Sequence, residues 1–282
     1  IVDERIEYFK GDLREANFCR KVVEGIDYVF MCAANTSGAQ VMATTPLVHL
    51  TPNILMNMQM LEASYGAKVK KFLFISTNTV YPLTNFPVKE TDVTNVFYES
   101  YHIVAWMKRF TEIVCDMYSN HIKEPMKTIV VRPGNLYGPY DKFDVEKSKV
   151  IPSLIRKAIE RHDPFVVWGD GTDLKDFLYI DDCIDALLLV MEKVDEFETI
   201  NIASGHSVTI RDVVKEILVA TDYKHVTIKY DATKPTMIPK RLIDVSLAEN
   251  KLGFNAKISL KDGISRTVNW YNEYFKNKTL DT

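Results

Sequence analysis

Residues 71–82 read Lys-Phe-Leu-Phe-Ile-Ser-Thr-Asn-Thr-Val-Tyr-Pro. The stretch Phe72 to Ile75 has no polar residue and is short, the form of a parallel strand covered on both faces. Small polar residues follow at its carboxyl end, where open α/β sheets bind ligands. The stretch therefore predicts a site as well as a core.

The rest of the chain repeats the strand-then-helix alternation. Arg5 to Phe9 is a short strand candidate, Ala16 to Val23 a helix and Tyr28 to Cys32 a strand. Pro46 to Tyr65 and Glu99 to Tyr118 read as helices, and Thr128 to Val131 as a strand. Repeated β-then-α units imply a doubly wound parallel sheet with right-handed crossovers. The loop Gly134 to Lys149 is rich in Gly, Pro, Tyr and Asp. Beyond it, helices are expected over Ile151–Arg161, Asp181–Lys193, from Thr209 onward, and over Leu260–Phe275 behind a Ser259 cap. Strands are expected over Phe165–Trp168, Phe177–Ile180, Thr199–Ile202 and Val226–Tyr230.

The chain of 282 residues, 46% hydrophobic, can bury one large α/β domain or two domains that share a cleft. With net charge −3 and no basic stripe, nucleic acid is not expected as a partner. The longest apolar runs, such as Ala186–Met191, fall far short of the roughly 20 residues of a membrane span. Cys19, Cys32, Cys115 and Cys183 are scattered, without metal-ligand spacing, and read as buried free thiols in a reducing compartment. One landmark of a dinucleotide-binding sheet is missing: no G-x-G-x-x-G turn occurs, and Gly11 and Gly25 stand alone. The expectation is that the chain starts after the first βαβ unit, about 30 residues or more.

Several segments, in order, carry a family resemblance. Gly11-Asp12-Leu13-Arg14 and Gly25 through Ala34 resemble the third and fourth strand regions of extended short-chain dehydrogenases/reductases. Thr77 through Pro82 resembles their catalytic-hydroxyl segment, and Arg132 through Pro139 their loop between cofactor and substrate regions. Val167–Gly171, Phe177–Asp182 and Asn201–Gly205 resemble later landmarks. Val150-Ile151-Pro152, Lys234-Pro235 and Leu242–Val245 are most similar to the nucleotide-sugar epimerase/dehydratase group, in particular GDP-L-fucose synthase-like epimerase/reductases.

The resemblance implies an α/β fold, a Rossmann-type doubly wound parallel sheet with a smaller C-terminal α/β substrate domain. Residues 1–145 with 177–205 would bind the dinucleotide, and 146–176 with 206–282 the nucleotide sugar. It implies an NAD(P)-dependent enzyme of the cytoplasm, passing a hydride to or from C4 of an NDP-hexose, and a homodimer formed through a four-helix interface. In the family a Tyr is the general acid/base, a Lys four residues later lowers its pKa and holds the nicotinamide ribose, and a Ser or Thr binds the reacting oxygen. A phenol titrates near about 10, so it needs a neighbouring ammonium to work near neutrality.

By the resemblance Thr77 takes the hydroxyl role and Lys108 the Lys role; a Thr bonding its own backbone, or a Lys on a solvated face, are the alternatives. The Tyr/Lys pair departs from the pattern. Tyr101 finds Ala105 four residues on, and Lys108 finds Val104 four residues before. Tyr101 and Lys108 share a helix face about two turns, or ~10 Å, apart. Tyr101 is either the acid/base or an ordinary aromatic at a helix start. Thr79 and Lys149 stand where fucose synthases carry a Cys and a His for epimerisation; Thr79 is no acid/base near neutrality, and Lys149 needs a lowered pKa. Simple reduction, 4-epimerisation or dehydration is the better expectation.

For the cofactor, the resemblance implies Asp12 and Leu13 beside the adenine, Ala33 and Ala34 along the ribose and phosphates, and Asn53 in the following helix. Ile75, Lys108, Pro133 and Asn135 would border the nicotinamide. For the nucleotide sugar it implies Thr79, Asn135, Val150, Trp168, Lys175 in place of an Arg on the diphosphate, and Arg241. A core Trp and surface charges are the plain alternatives. A catalytically impaired nucleotide-sugar-binding protein on the same fold, or a subunit that only dimerises, are the competing functions.

Overall fold

The computed structural model describes residues 3–36, 41, 44–145, 147–234 and 236–280, with side chains to Tyr274. Its centre is a four-stranded parallel sheet. Strands β1 (Tyr28–Met31), β2 (Lys71–Ile75) and β3 (Lys127–Pro133) run side by side, and β7 (Glu198–Ile202) closes the far edge. Leu73 lies opposite Phe30 on one side and Ile129 on the other.

The alternation of strand side chains explains why both faces are covered. Phe72, Phe74 and Val130 point into one core, with Cys19 of α1 (Ala16–Val22), Met60 and Leu61 of α2 (Thr51–Gly66) and Cys115 of α3 (His102–Asn120). Leu73, Ile129 and Val131 point into the other. There they meet Ala186 and Val190 of α5 (Ile180–Lys193) and Leu252 of α7 (Ser246–Leu252). A strand apolar on both sides, such as Phe72–Ile75, suits two such faces.

After β3 the chain turns at Gly134 into β4 (Asn135–Tyr137), which pairs with β6 (Leu174–Tyr179); β8 (Ser207–Thr209) adds antiparallel to β6. β5 (Phe165–Trp168) pairs with β9 (Ile228–Asp231). Helices α4 (Val150–Ile159), α6 (Ile210–Ala220) and α8 (Leu260–Leu280) enclose a separate core of Ile155, Phe165, Val167, Val213, Ile217, Ile264 and Val268. Thr209 and Asp212 form a reciprocal capping box on α6. Ser259 accepts from Asp262 N at 3.1 Å, as its expected capping role requires.

Three differences from the sequence reading have physical causes. Arg5 to Phe9 is not a strand. No strand pairs with it among the described residues, and Ile6, Tyr8 and Phe9 lie exposed. The helix expected from Pro46 is broken: a 3-10 turn, Pro46–His49, precedes α2, because Pro52 takes the second position of the new helix. The helix expected from Glu99 likewise opens with a 3-10 turn, Glu99–Tyr101. Pro235 of the quoted motif lies outside the described residues. Among the described residues no helix is long and apolar enough to cross a membrane.

Candidate active site

β2 ends at Ile75, and residues 76–82 run along the carboxyl edge of the sheet. Thr77 caps the 3-10 turn Asn78–Val80: its Oγ1 accepts from Thr79 N at 3.2 Å and lies 3.2 Å from Thr79 Oγ1. The local backbone bond considered for Thr77 is therefore present. Asn78 Nδ2 donates to the Pro133 carbonyl at 2.8 Å, which ties this turn to the end of β3.

Lys108 reaches the same edge from α3. Its Nζ donates to the Ile75 carbonyl at 2.6 Å and sits 4.7 Å from the centre of the Phe74 ring. The residue is buried, 8% exposed, so the solvated-face alternative does not hold. Burial pulls its pKa down to about 8, against the opposing pull of Glu112 and Cys32. At neutral pH it is a charged donor close to its titration point.

Tyr101 is the N-cap residue of α3 and partly buried. Burial pushes its phenol up to about 12, and no cation among the described residues draws it down. The lowering expected of a paired Lys is not found at Tyr101.

The loop after β1 carries Ala33 and Ala34 and is pinned from behind. Asn53, 1% exposed, accepts from Asn35 N at 2.8 Å and donates to the carbonyls of Asn35 and His49. Asn53 thus supports the loop rather than facing a ligand. Asp12 is half-buried and paired with Arg14, while Leu13 packs at the rim of the α1–α2 core. Gly134 opens the passage to β4; a Cβ there would come 3.2 Å from Asp176 Oδ1. Asn135 Nδ2 donates to the Asp176 carbonyl at 2.8 Å.

On the side of the smaller sheets, Thr79 is 9% exposed, whereas Lys149 caps α4 from an exposed position beside half-buried Val150. Trp168 ends β5 at 37% exposure, so it is not a core Trp. Lys175 Nζ donates to the Ile238 carbonyl at 2.7 Å and meets Asp173 at 3.3 Å; burial lowers its pKa. Arg241 differs from the expected phosphate ligand. It is 2% exposed, its NH1 and NH2 donate to the carbonyls of Pro82 and Tyr81 at 2.9 and 3.0 Å, and its guanidinium lies over the Tyr81 ring. Its two terminal nitrogens hold backbone.

Residues not singled out from the sequence complete the setting. Glu112, four residues beyond Lys108, is fully buried and bonded to Ser76 and Arg132. A Glu at i+4 from a candidate Lys is the signal that could have found it.

A family model described as "NAD dependent epimerase/dehydratase family" matches residues 2–203. GDP-L-fucose synthase 1 of Arabidopsis thaliana is 32% identical over 250 residues, covering 86% of this chain and 76% of the relative. GDP-L-fucose synthase of Escherichia coli (strain K12) is 31% identical over 265 residues, covering 89% and 81%. The structure of UDP-glucose 4-epimerase with UDP-glucose from Thermotoga maritima superposes with a TM-score of 0.85 at 25% identity, covering 97% of this chain and 87% of that one. With a parallel sheet, a hydroxyl turn and a buried lysine at its carboxyl edge, the chain belongs to the NAD dependent epimerase/dehydratase family.

Proposed function

We propose that this protein is a nucleotide-sugar epimerase/reductase or dehydratase that uses NAD(P) to pass a hydride at C4 of an NDP-hexose, with a GDP-sugar as the favoured substrate. The observation that carries the reading is Lys108: a buried ammonium, bonded to the last carbonyl of β2, beside the turn that bears Thr77. The fucose synthase relatives support the choice of GDP.

The residues present suit the cofactor. Ala33 and Ala34 follow the end of β1, Ile75 ends β2 with its carbonyl on Lys108, and Pro133 and Asn135 flank the end of β3. Bound NAD(P) supplies the hydride donor and acceptor. Lys108 contributes positive charge and hydrogen-bond donation where oxygen atoms of cofactor and sugar come together. Thr77 hydrogen-bonds the reacting oxygen. Tyr101 is the candidate acid/base, at the N-terminal end of the helix that carries Lys108. Lys175 is the candidate diphosphate contact, and Trp168 the apolar surface for base or sugar, with Asn135, Thr79 and Val150 between them. Lys149 is the second candidate acid/base. Residues 1–145 with 177–205 form the cofactor half, and 146–176 with 206–282 the sugar half.

The outer faces of α2 and α3 expose Leu55, Trp106, Phe110 and Met117, a surface suited to a homodimer through four helices. Light scattering during size exclusion tests it; a monomer at micromolar concentration refutes it. The free cysteines suit a reducing compartment such as the cytoplasm.

The main test is consumption of NADPH by the purified protein with a GDP-4-keto-6-deoxyhexose, and epimer formation from GDP- and UDP-hexoses with NAD. One observation favours a second reading, a binding protein without turnover: the phenol of Tyr101 is raised by burial, with no cation among the described residues drawing it down. Nucleotide-sugar binding by calorimetry without reaction supports that second reading. Turnover abolished by Y101F supports the first.

A further inference from the structure

Two side chains one helical turn apart on α3 grip consecutive residues at the end of β2. Lys108 donates to the Ile75 carbonyl at 2.6 Å, and Glu112 Oε1 accepts from the Ser76 hydroxyl. Thr77 follows immediately. The Glu112 carboxylate is the hub of a wider network. Arg132 Nε donates to Oε1 at 2.9 Å and NH2 to Oε2 at 2.7 Å, while Arg109 NH1 approaches Oε2 at 3.1 Å. Arg132 NH1 continues to Tyr81 Oη and to the Glu90 carbonyl, each at 2.9 Å, and Tyr81 Oη donates to Asn201 Oδ1 at 2.6 Å. Segment 76–81, with Thr77 and Thr79 inside it, is held at both ends by one buried charge system.

We propose that Glu112 is a positioning residue for the reaction: it fixes Thr77 through Ser76, and its charge keeps the Lys108 ammonium protonated from one turn away. The proposal rests on the reading of Thr77 and Lys108 as groups at the reacting centre. Stability alone is a poor reason for this pair, because desolvation of two buried ions largely offsets their attraction. Its charge has a second effect that an apolar pair could not have, since it opposes the desolvation that lowers the Lys108 amine. The other groups facing Lys108 among the described residues are the Cys32 thiol at the end of β1, the Phe74 ring and the Ile75 carbonyl. Cys32 is exposed rather than buried as the sequence led one to expect, but partial desolvation still raises its thiol, so Glu112 is the anion facing Lys108.

Three variants test this: E112Q removes the charge, E112D keeps it at shorter reach, and S76A cuts only the link to Ser76. S76A is expected to lower kcat roughly 10- to 100-fold with KM for the nucleotide sugar unchanged, the scale of a small misplacement at a reacting centre. E112Q is expected to lower kcat and to move the alkaline limb of the kcat/KM profile down by about one pH unit. E112D is expected to lower kcat without moving that limb. The Lys108 amine is also titrated directly by NMR of ¹³C-labelled lysine in the wild type, E112Q and K108M, the last for assignment. This readout needs no turnover. A wild type that turns over no nucleotide sugar refutes the proposed function, and the NMR titration still decides the electrostatic role of Glu112. Unshifted Lys108 titration in E112Q, or S76A kinetics equal to wild type, overturns the proposal and leaves Glu112 a structural brace. If E112Q does not fold, an unchanged kcat in S76A is sufficient to overturn it.

Discussion

Replacing Lys108 with Met keeps an unbranched stem, one atom shorter, and removes its charge. Burial holds the Lys108 pKa near about 8, against an ordinary value of 10.5. Each unit is worth about 1.36 kcal/mol, so the folded state bears a cost of about 3 kcal/mol at pH 7 for keeping this amine charged. K108M relieves that cost but leaves the Ile75 carbonyl without its donor, a loss of about 1–3 kcal/mol. The net change at pH 7 is therefore small, about 0–2 kcal/mol in favour of the variant. The pH dependence is the sharper test. Above about pH 8 the native amine has lost its proton, while the unfolded amine keeps it until about 10.5. The unfolded state then binds more protons, so wild-type stability rises with pH relative to K108M by up to about 1.4 kcal/mol per unit. Urea unfolding of both proteins at pH 7, 8, 9 and 9.5, without cofactor, reads this difference. It should be flat from pH 7 to 8 and climb beyond. A difference that stays constant to pH 9.5 would refute the desolvation argument. K108M should at the same time lose turnover, separating stability from function at one residue.

Four further outcomes follow from the same geometry. R132M leaves the Glu112 carboxylate buried with its main partner gone, and chemical denaturation should show a loss of about 3–5 kcal/mol, partly restored in the E112L/R132M double variant. K175A should raise KM for the nucleotide sugar about tenfold with kcat little changed, whereas R241A should lower stability by about 1–3 kcal/mol by unpairing the Tyr81 and Pro82 carbonyls. Y101F should lower kcat by about 10²–10⁴ if Tyr101 is the acid/base, measured with the sugar and cofactor saturating.

The doubly wound sheet was legible because its signal is local. An uninterrupted run such as Phe72–Ile75 predicts two buried faces, and adjacent residues such as Phe72 and Leu73 do reach opposite cores. The hydroxyl turn at 77–79 and the Ser259 and Thr209 caps were legible for the same reason: each bond closes within a few residues. What the sequence could not contain was any interaction that spans the fold. A strand is defined by its neighbour, so Arg5–Phe9 has the composition of a strand without being one. Arg241 resembled a phosphate ligand until packing placed it 160 residues away on the Tyr81 carbonyl. The role of Glu112 needs Ser76, Arg132 and Lys108 to meet, three residues that come together only when α3 lies across β2 and β3. Local propensity and periodicity determined the elements; burial, which turns a charge into either a cost or a tool, was decided by tertiary structure alone.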